Sequence, residues 1–186
     1  MHGLRTGLTS YDRDQNGNRS IDLSMHSDPI KQNTQALLLL KILSYLPAGT
    51  TIAALRWWVP ALNEAKVLSA IAALSGAGYY LGNERQRQGS DSTVLFVLPI
   101  VQSFMQQRGR IEEEIWHNLH STCCQYVLDN ACRNYDPAFP TKSKALAAED
   151  TNIEAILYGS PTMRRSIVLS DRAIEALVAF SWYHKT

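Results

Sequence analysis

The chain has no excess of charge of either sign. Its 18 Lys and Arg stand against 17 Asp and Glu over 186 residues, a net charge of +1 with histidine neutral. That balance removes the electrostatic case for a nucleic-acid or anionic-membrane partner, either of which would call for a basic patch. Cysteine is scarce. Cys123, Cys124 and Cys132 are odd in number and two are adjacent, which gives no spaced disulfide framework and favours a reducing compartment, read here as the cytoplasm. Long apolar runs are missing too: Ala36 to Leu46 is the longest, and Lys41 interrupts it well short of bilayer thickness. The opening MHGLRTGLTSYDRDQ holds no apolar h-region, so no signal peptide is expected, and the Asn18-Arg19-Ser20 sequon has no secretory context. G-x-x-x-x-G-K-[ST], G-x-S-x-G and H-E-x-x-H are all absent. The sequence therefore offers no catalytic residue, no cofactor-binding residue and no metal ligand, and the chain is expected not to be an enzyme.

What remains is mostly helix. Residues 1–19 are polar, with Gly3, Gly7, Asn16, Gly17 and Asn18, and suit a flexible lead-in. SIDLSMHS predicts a short helix closed by Asp28-Pro29. In QNTQALLLLKILSYLP the residues Ala36, Leu39, Leu40, Leu43 and Leu46 form a helical stripe, and Leu37 and Leu38 widen it until most sides are buried. Asn33 or Thr34 can cap that helix, and Pro47 stops it. TTIAALRWWVP predicts a second helix ended by Pro60. NEAKVLSAIAALSGAG predicts a third, with Val67, Ile71 and Leu74 inward and Gly76 and Gly78 at its end.

GYYLG and TVLFVLP are β-prone runs around the polar loop NERQRQGSDS, the pattern of a hairpin. Pro99 then opens a further helix, IVQSFMQQR. Three helices followed by a two-stranded wing is the order of a winged helix, expected over 20–108. The region 109–186 is helical in pattern. IEEEIWHNLHSTCCQYVLDNA carries an apolar stripe at Ile111, Ile115 and Leu119, and NYDPAFPTKSK is expected to be a loop. EDTNIEAILYG and SDRAIEALVAFSWY are expected as two more helices, with Asp150 or Thr151 and Ser170 at the caps. Paired helices with short connections suggest helical hairpins of solenoid type. An amphipathic helix stands immediately before Thr186, where a solenoid would need a polar cap, so a fragment or truncated gene model is expected.

In combination these segments resemble the post-ATPase part of fungal STAND NTPases of the NB-ARC/NACHT kind. Ser20, Ile21, Leu23 and Ser24 match an S-I-x-L-S helix. Ala36, Leu37, Leu39, Leu40, Ile42, Leu43, Leu46, Pro47 and Gly49 are similar to the leucine-rich helix and its L-P-x-G end. Val97, Pro99 and Ile100 resemble the end of the family's wing. TNIEAILYG and AIEALVAFSWY resemble helices that lead into tetratricopeptide repeats. The resemblance spans roughly residues 20–184. It implies a non-catalytic regulatory and protein-interaction module, whose partner is the nucleotide-binding domain of a parent or separate NTPase. Other proteins would be met through helical surfaces, and neither nucleic acid nor membrane is expected. Plant- and animal-type relatives place a His-Asp pair after the wing, where this chain has Leu98-Pro99, so no nucleotide-sensing residue carries over.

Several stretches imitate chemistry. Asp12, Asp14, Asn16 and Gly17 take positions one, three, five and six of a calcium loop. Position twelve is Leu23 rather than a bidentate carboxylate, and a solvated linker is the simpler reading. Glu113, His117, His120 and Cys124 share one helix face and could contribute to a zinc site, but one helix seldom closes a tetrahedron, so a polar outer face is expected. GAGYYLG follows a helix and opens a strand, the reverse of a dinucleotide loop. Trp57-Trp58 is expected to divide into one core and one half-covered ring. Cys123-Cys124 has no adjoining basic residue to activate a thiol. As a DNA-binding winged helix, the runner-up reading, the chain would offer only Lys66, Asn63 and Glu64 on the third helix and Arg85 and Arg87 on the wing.

Overall fold

The computed structural model describes residues 19–23, 25–83, 94–107, 112–159 and 170–183. It is mainly helical, with one small antiparallel sheet. A helical turn over 19–23 buries Ile21, whose carbonyl accepts a hydrogen bond from the Tyr79 hydroxyl. Asp28-Pro29 opens a helix where a stop was expected: α1 runs Asp28–Lys31. Proline is well suited to a first turn, since its missing N–H would have had no helical partner there.

Helix α2 (Thr34–Leu43) is the leucine helix. The Asn33 side chain accepts from the amides of Gln35 and Ala36, as the sequence predicts. The helix ends at Leu43, four residues before Pro47, and the Ser44 hydroxyl turns back onto the Leu40 carbonyl. Leu39, Leu40, Leu43 and Leu46 are fully enclosed, each a burial of about 1.5–3 kcal/mol. Thr50 and Thr51, expected to begin a helix, are instead a two-residue strand β1. Helix α3 (Ile52–Trp58) follows at once, and the Thr51 hydroxyl accepts from the Ala54 amide at its start. Asn63 caps α4 (Glu64–Gly76). Ala70 joins Val67 and Leu74 as a fully buried residue of its inner face, where α4 packs closely on α2 and the small side chain permits the approach, and Ile71 is partly buried against the same core.

The hairpin is present: β2 (Tyr80–Asn83) pairs antiparallel with β3 (Val94–Val97), Tyr80 opposite Val97 and Asn83 opposite Val94. β1 adds to the far side of β3, with Thr50 opposite Leu95, and the sheet order is β1-β3-β2. Helix α5 (Pro99–Gln107) starts at Pro99 as expected and buries Val101, Phe104 and Met105.

Beyond it, α6 (Glu113–Asn130) is the hub of the second half, packing against α7, α8, α9 and α3. Neighbours on several sides explain why it buries Trp116, Cys123 and Cys124 as well as Leu119 and Val127. The stretch expected to be a Pro-rich loop contains α7 (Phe139–Ala148). Pro140 lies in its first turn, and an Asp136 carboxylate oxygen accepts from the Ala138 amide just before it. α8 (Asp150–Leu157) follows after Glu149 alone, so Asp150 falls inside the first turn, and no side chain caps the helix. Ser170 does cap α9 (Asp171–Tyr183), its hydroxyl accepting from the Ala173 amide. One hydrophobic cluster runs from Ile21 to Phe180 through both halves. No helix among the described residues is long and apolar enough to cross a membrane.

Candidate functional site

The most concentrated polar chemistry lies where α8 meets the loop between α2 and β1. That loop, Pro47-Ala48-Gly49, turns tightly. Gly49 has φ +67°, and a Cβ there would stand 2.5 Å from the Leu95 carbonyl oxygen and 2.9 Å from Phe96 Cβ. Only glycine fits both the left-handed backbone and the contact with β3. The loop's free backbone groups are met by one side chain. Asn152 accepts from the Ala48 amide at 3.1 Å and donates to the Gly49 carbonyl at 2.7 Å. Its amide nitrogen also donates to Glu149 at 2.7 Å.

Glu149 is 4% exposed. Its carboxylate accepts from the Thr50 hydroxyl and from the Trp58 indole N–H, both at 3.3 Å. A buried carboxylate requires such donors, because desolvation otherwise costs several kcal/mol. Asn152 and Glu149, one helical turn apart on either side of the α8 start, thus clasp a loop about a hundred residues away in sequence.

Aromatic contacts flank the clasp. Trp58 is buried and Trp57 half-buried, the division the sequence predicts. The Trp57 ring stacks on Tyr126 of α6, centroids 3.7 Å apart and planes 5° from parallel. The Tyr126 hydroxyl donates to the Ala145 carbonyl. Burial, with the Glu149 carboxylate nearby, pushes that phenol up to about 12. On the opposite rim, Lys41 reaches from α2 to Glu112 ahead of α6, its amine 2.5 and 2.7 Å from the two carboxylate oxygens. The bond from Lys41 holds the Glu112 carboxyl below its ordinary value. Tyr45 meets Trp116 with centroids 4.9 Å apart.

The residues that suggested zinc do not converge. His117 Nε2 lies 3.5 Å from Glu113 on the exposed face. Cys124, expected outward, is buried, and its sulfur lies 3.7 Å from His120 Nδ1. Burial, with His117 second, lowers the His120 pKa, while burial raises both Cys123 and Cys124, so neither thiol is activated. Among the described residues no group of three or more His, Cys, Asp or Glu is placed to hold a metal. Asp12, Asp14, Asn16 and Gly17 of the calcium-like stretch, and Arg85 and Arg87, lie outside the described residues. Gly76 ends a helix, Gly78 takes φ +76° and Tyr80 begins a strand, so GAGYYLG is a helix stop.

Sequence reasoning passed over Glu149 and Asn152, which resemble ordinary cap residues. One signal was available: Asn152 is a poor helix former beside the apolar Ile153 and Ile156, a position that asks for a backbone partner. No protein-family model matches the chain, and no curated protein and no solved structure matches it.

Proposed function

We propose that this chain is a non-catalytic regulatory and protein-interaction module: a winged helix fastened to helices of the kind that precede a repeat array, as in STAND signalling NTPases. The observation that carries this reading is the element order. From α2 onward the order is helix, strand, helix, helix, strand, strand, with the first strand added to the last in the order β1-β3-β2, and this supports a winged-helix reading. The helical region grips the L-P-x-G loop through Asn152. A rigid coupling of this kind suits a lid that moves as one body when a two-state switch releases it.

The partner in this reading is the nucleotide-binding domain of a parent or separate NTPase. The DNA-binding alternative gains little from α4, whose exposed positions are Ala65, Lys66, Leu68, Ser69, Ala72, Ser75 and Gly76 besides Glu64, with Glu64 tied to Arg56 at 2.7 Å. A helix that reads base edges needs several Arg, Lys, Asn or Gln.

Calorimetric titration of the full chain with an isolated STAND nucleotide-binding domain from the same organism tests the proposal. Binding that differs between the ADP- and ATP-loaded domain is expected. No binding in either state would count against it, as would ATP turnover by this chain alone. A salt-dependent shift of duplex DNA would restore the alternative.

A further inference from the structure

We propose that the cleft at the C-terminal end of α6 binds a small aromatic carboxylate. The cleft lies between the segment that follows α6, the start of α7 and the end of α9. Its volume is about 830 Å³, inside the range of small-ligand sites, and such sites are typically apolar with a few convergent polar groups. Four of its twelve lining residues are aromatic: Tyr135, Phe139, Trp182 and Tyr183. Tyr135 and Trp182 are 74% and 67% exposed, the two most exposed large aromatic side chains among the described residues. Rings left in water on two walls of a cleft offer faces for a third planar ring between or against them.

The charge of the occupant follows from the lining. Among the described residues that line it, Arg133 is the one that carries a charge, and no Asp, Glu, His or Lys joins it. Its guanidinium lies over the Tyr135 ring, 5.9 Å from the centroid, and Nη1 donates to the Tyr135 hydroxyl at 2.6 Å. No carboxylate among the described residues is in ion-pair range of it. Arg presents five donors in a fork that fits a carboxylate in bidentate fashion, and the hydrogen bond to the Tyr135 hydroxyl presets the side chain at little further entropic cost. A single cation suits a mono-anion and is too little for the several charges of a di- or triphosphate. The Asn134 amide, at the same rim, adds a neutral donor. The expected occupant therefore has a planar apolar body and one carboxylate.

This inference is independent of the winged-helix reading, and a chain that binds no nucleotide-binding domain can still bind here. The full chain is titrated calorimetrically with 2-naphthoate, and in parallel with neutral 2-naphthalenemethanol and cationic 2-naphthylmethylammonium. Naphthoate is expected to bind saturably and at least about tenfold more tightly than either, the weight of one charge-assisted hydrogen-bonded pair. Arg133→Gln should remove that preference. Arg133 is exposed, so the variant is expected to keep the wild-type circular dichroism melt.

Cys132 supplies a second readout. It lines the cleft, whereas Cys123 and Cys124 are buried, so naphthoate should slow iodoacetamide labelling of Cys132 in the folded chain, and should not in Trp182→Ala. Equal affinity for the three probes would overturn the proposal. So would undiminished naphthoate binding by Arg133→Gln, or Cys132 labelling that naphthoate leaves unchanged.

Discussion

The latch at Lys41 and the clasp at Asn152 both join the first half of the molecule to the second, and they differ in almost every physical respect. The Lys41–Glu112 latch is a close ion pair, yet the Glu112 side chain is 59% exposed. The Asn152–Glu149 clasp is built largely from neutral donors around one carboxylate and is sealed from water. Water competes for the latch and screens it, so its short distance says little about its strength. The Gly49 carbonyl is buried beneath α8 and the Ala48 amide part-buried, so the clasp is costly to break. Strength here follows from what is left unsatisfied when a contact is lost.

The largest test of that contrast is Gly49→Ala. It places a Cβ 2.5 Å from the Leu95 carbonyl oxygen in a left-handed backbone, and should lower unfolding free energy by about 3 kcal/mol or more in a urea melt. Asn152→Ala comes next. It orphans two backbone groups and takes one donor from Glu149, a loss of about 2–4 kcal/mol. A variant within about 0.5 kcal/mol of wild type would mean that water replaces the side chain and the clasp is not sealed.

Acidification tests the latch and a half-buried histidine of α6. The His120 pKa is lowered from its ordinary value of 6.5 by burial, then by His117. The unfolded chain therefore takes up that proton more readily, and stability falls as pH drops through 6.5 and below. His120→Gln should flatten this part of a pH-stability profile. The Glu112 carboxyl is held below 4.5 by Lys41, so the latch's contribution is present above that value and lost as pH falls beneath it. The smallest effect is expected for Lys41→Met, which removes a nearly buried amine and its exposed partner's bond together. A change under about 1 kcal/mol, of either sign, should appear in the same urea melt.

The parts legible in the sequence are those set by neighbours along the chain. The Asn33 cap, the leucine stripe and the Pro99 helix start depend on residues within a turn or two, and the hairpin on two strands that follow one another in the chain. β1 was not legible, because two threonines become a strand only when Val94 and Leu95 arrive beside them. α7 was hidden by Pro137 and Pro140, which mark a loop by composition, although Pro140 sits in the first turn of the helix once Asp136 turns the chain. The inward turn of Cys124 required knowing that α6 is covered on several sides. The clasp is the furthest from local rules. Glu149, Asn152 and Gly49 each have an ordinary local use, as cap, helix residue and turn, and only their meeting in space makes them a site.

That meeting also sets a delay during synthesis. The Ala48 amide and its Asn152 partner are 104 residues apart. At about 5–20 residues per second a ribosome needs roughly 5–20 s to deliver the second after the first. Throughout that interval the leucine helix and its loop exist without their fastening, with two backbone groups open to any competing donor or acceptor. The arrival of α8 is the event that closes both bonds.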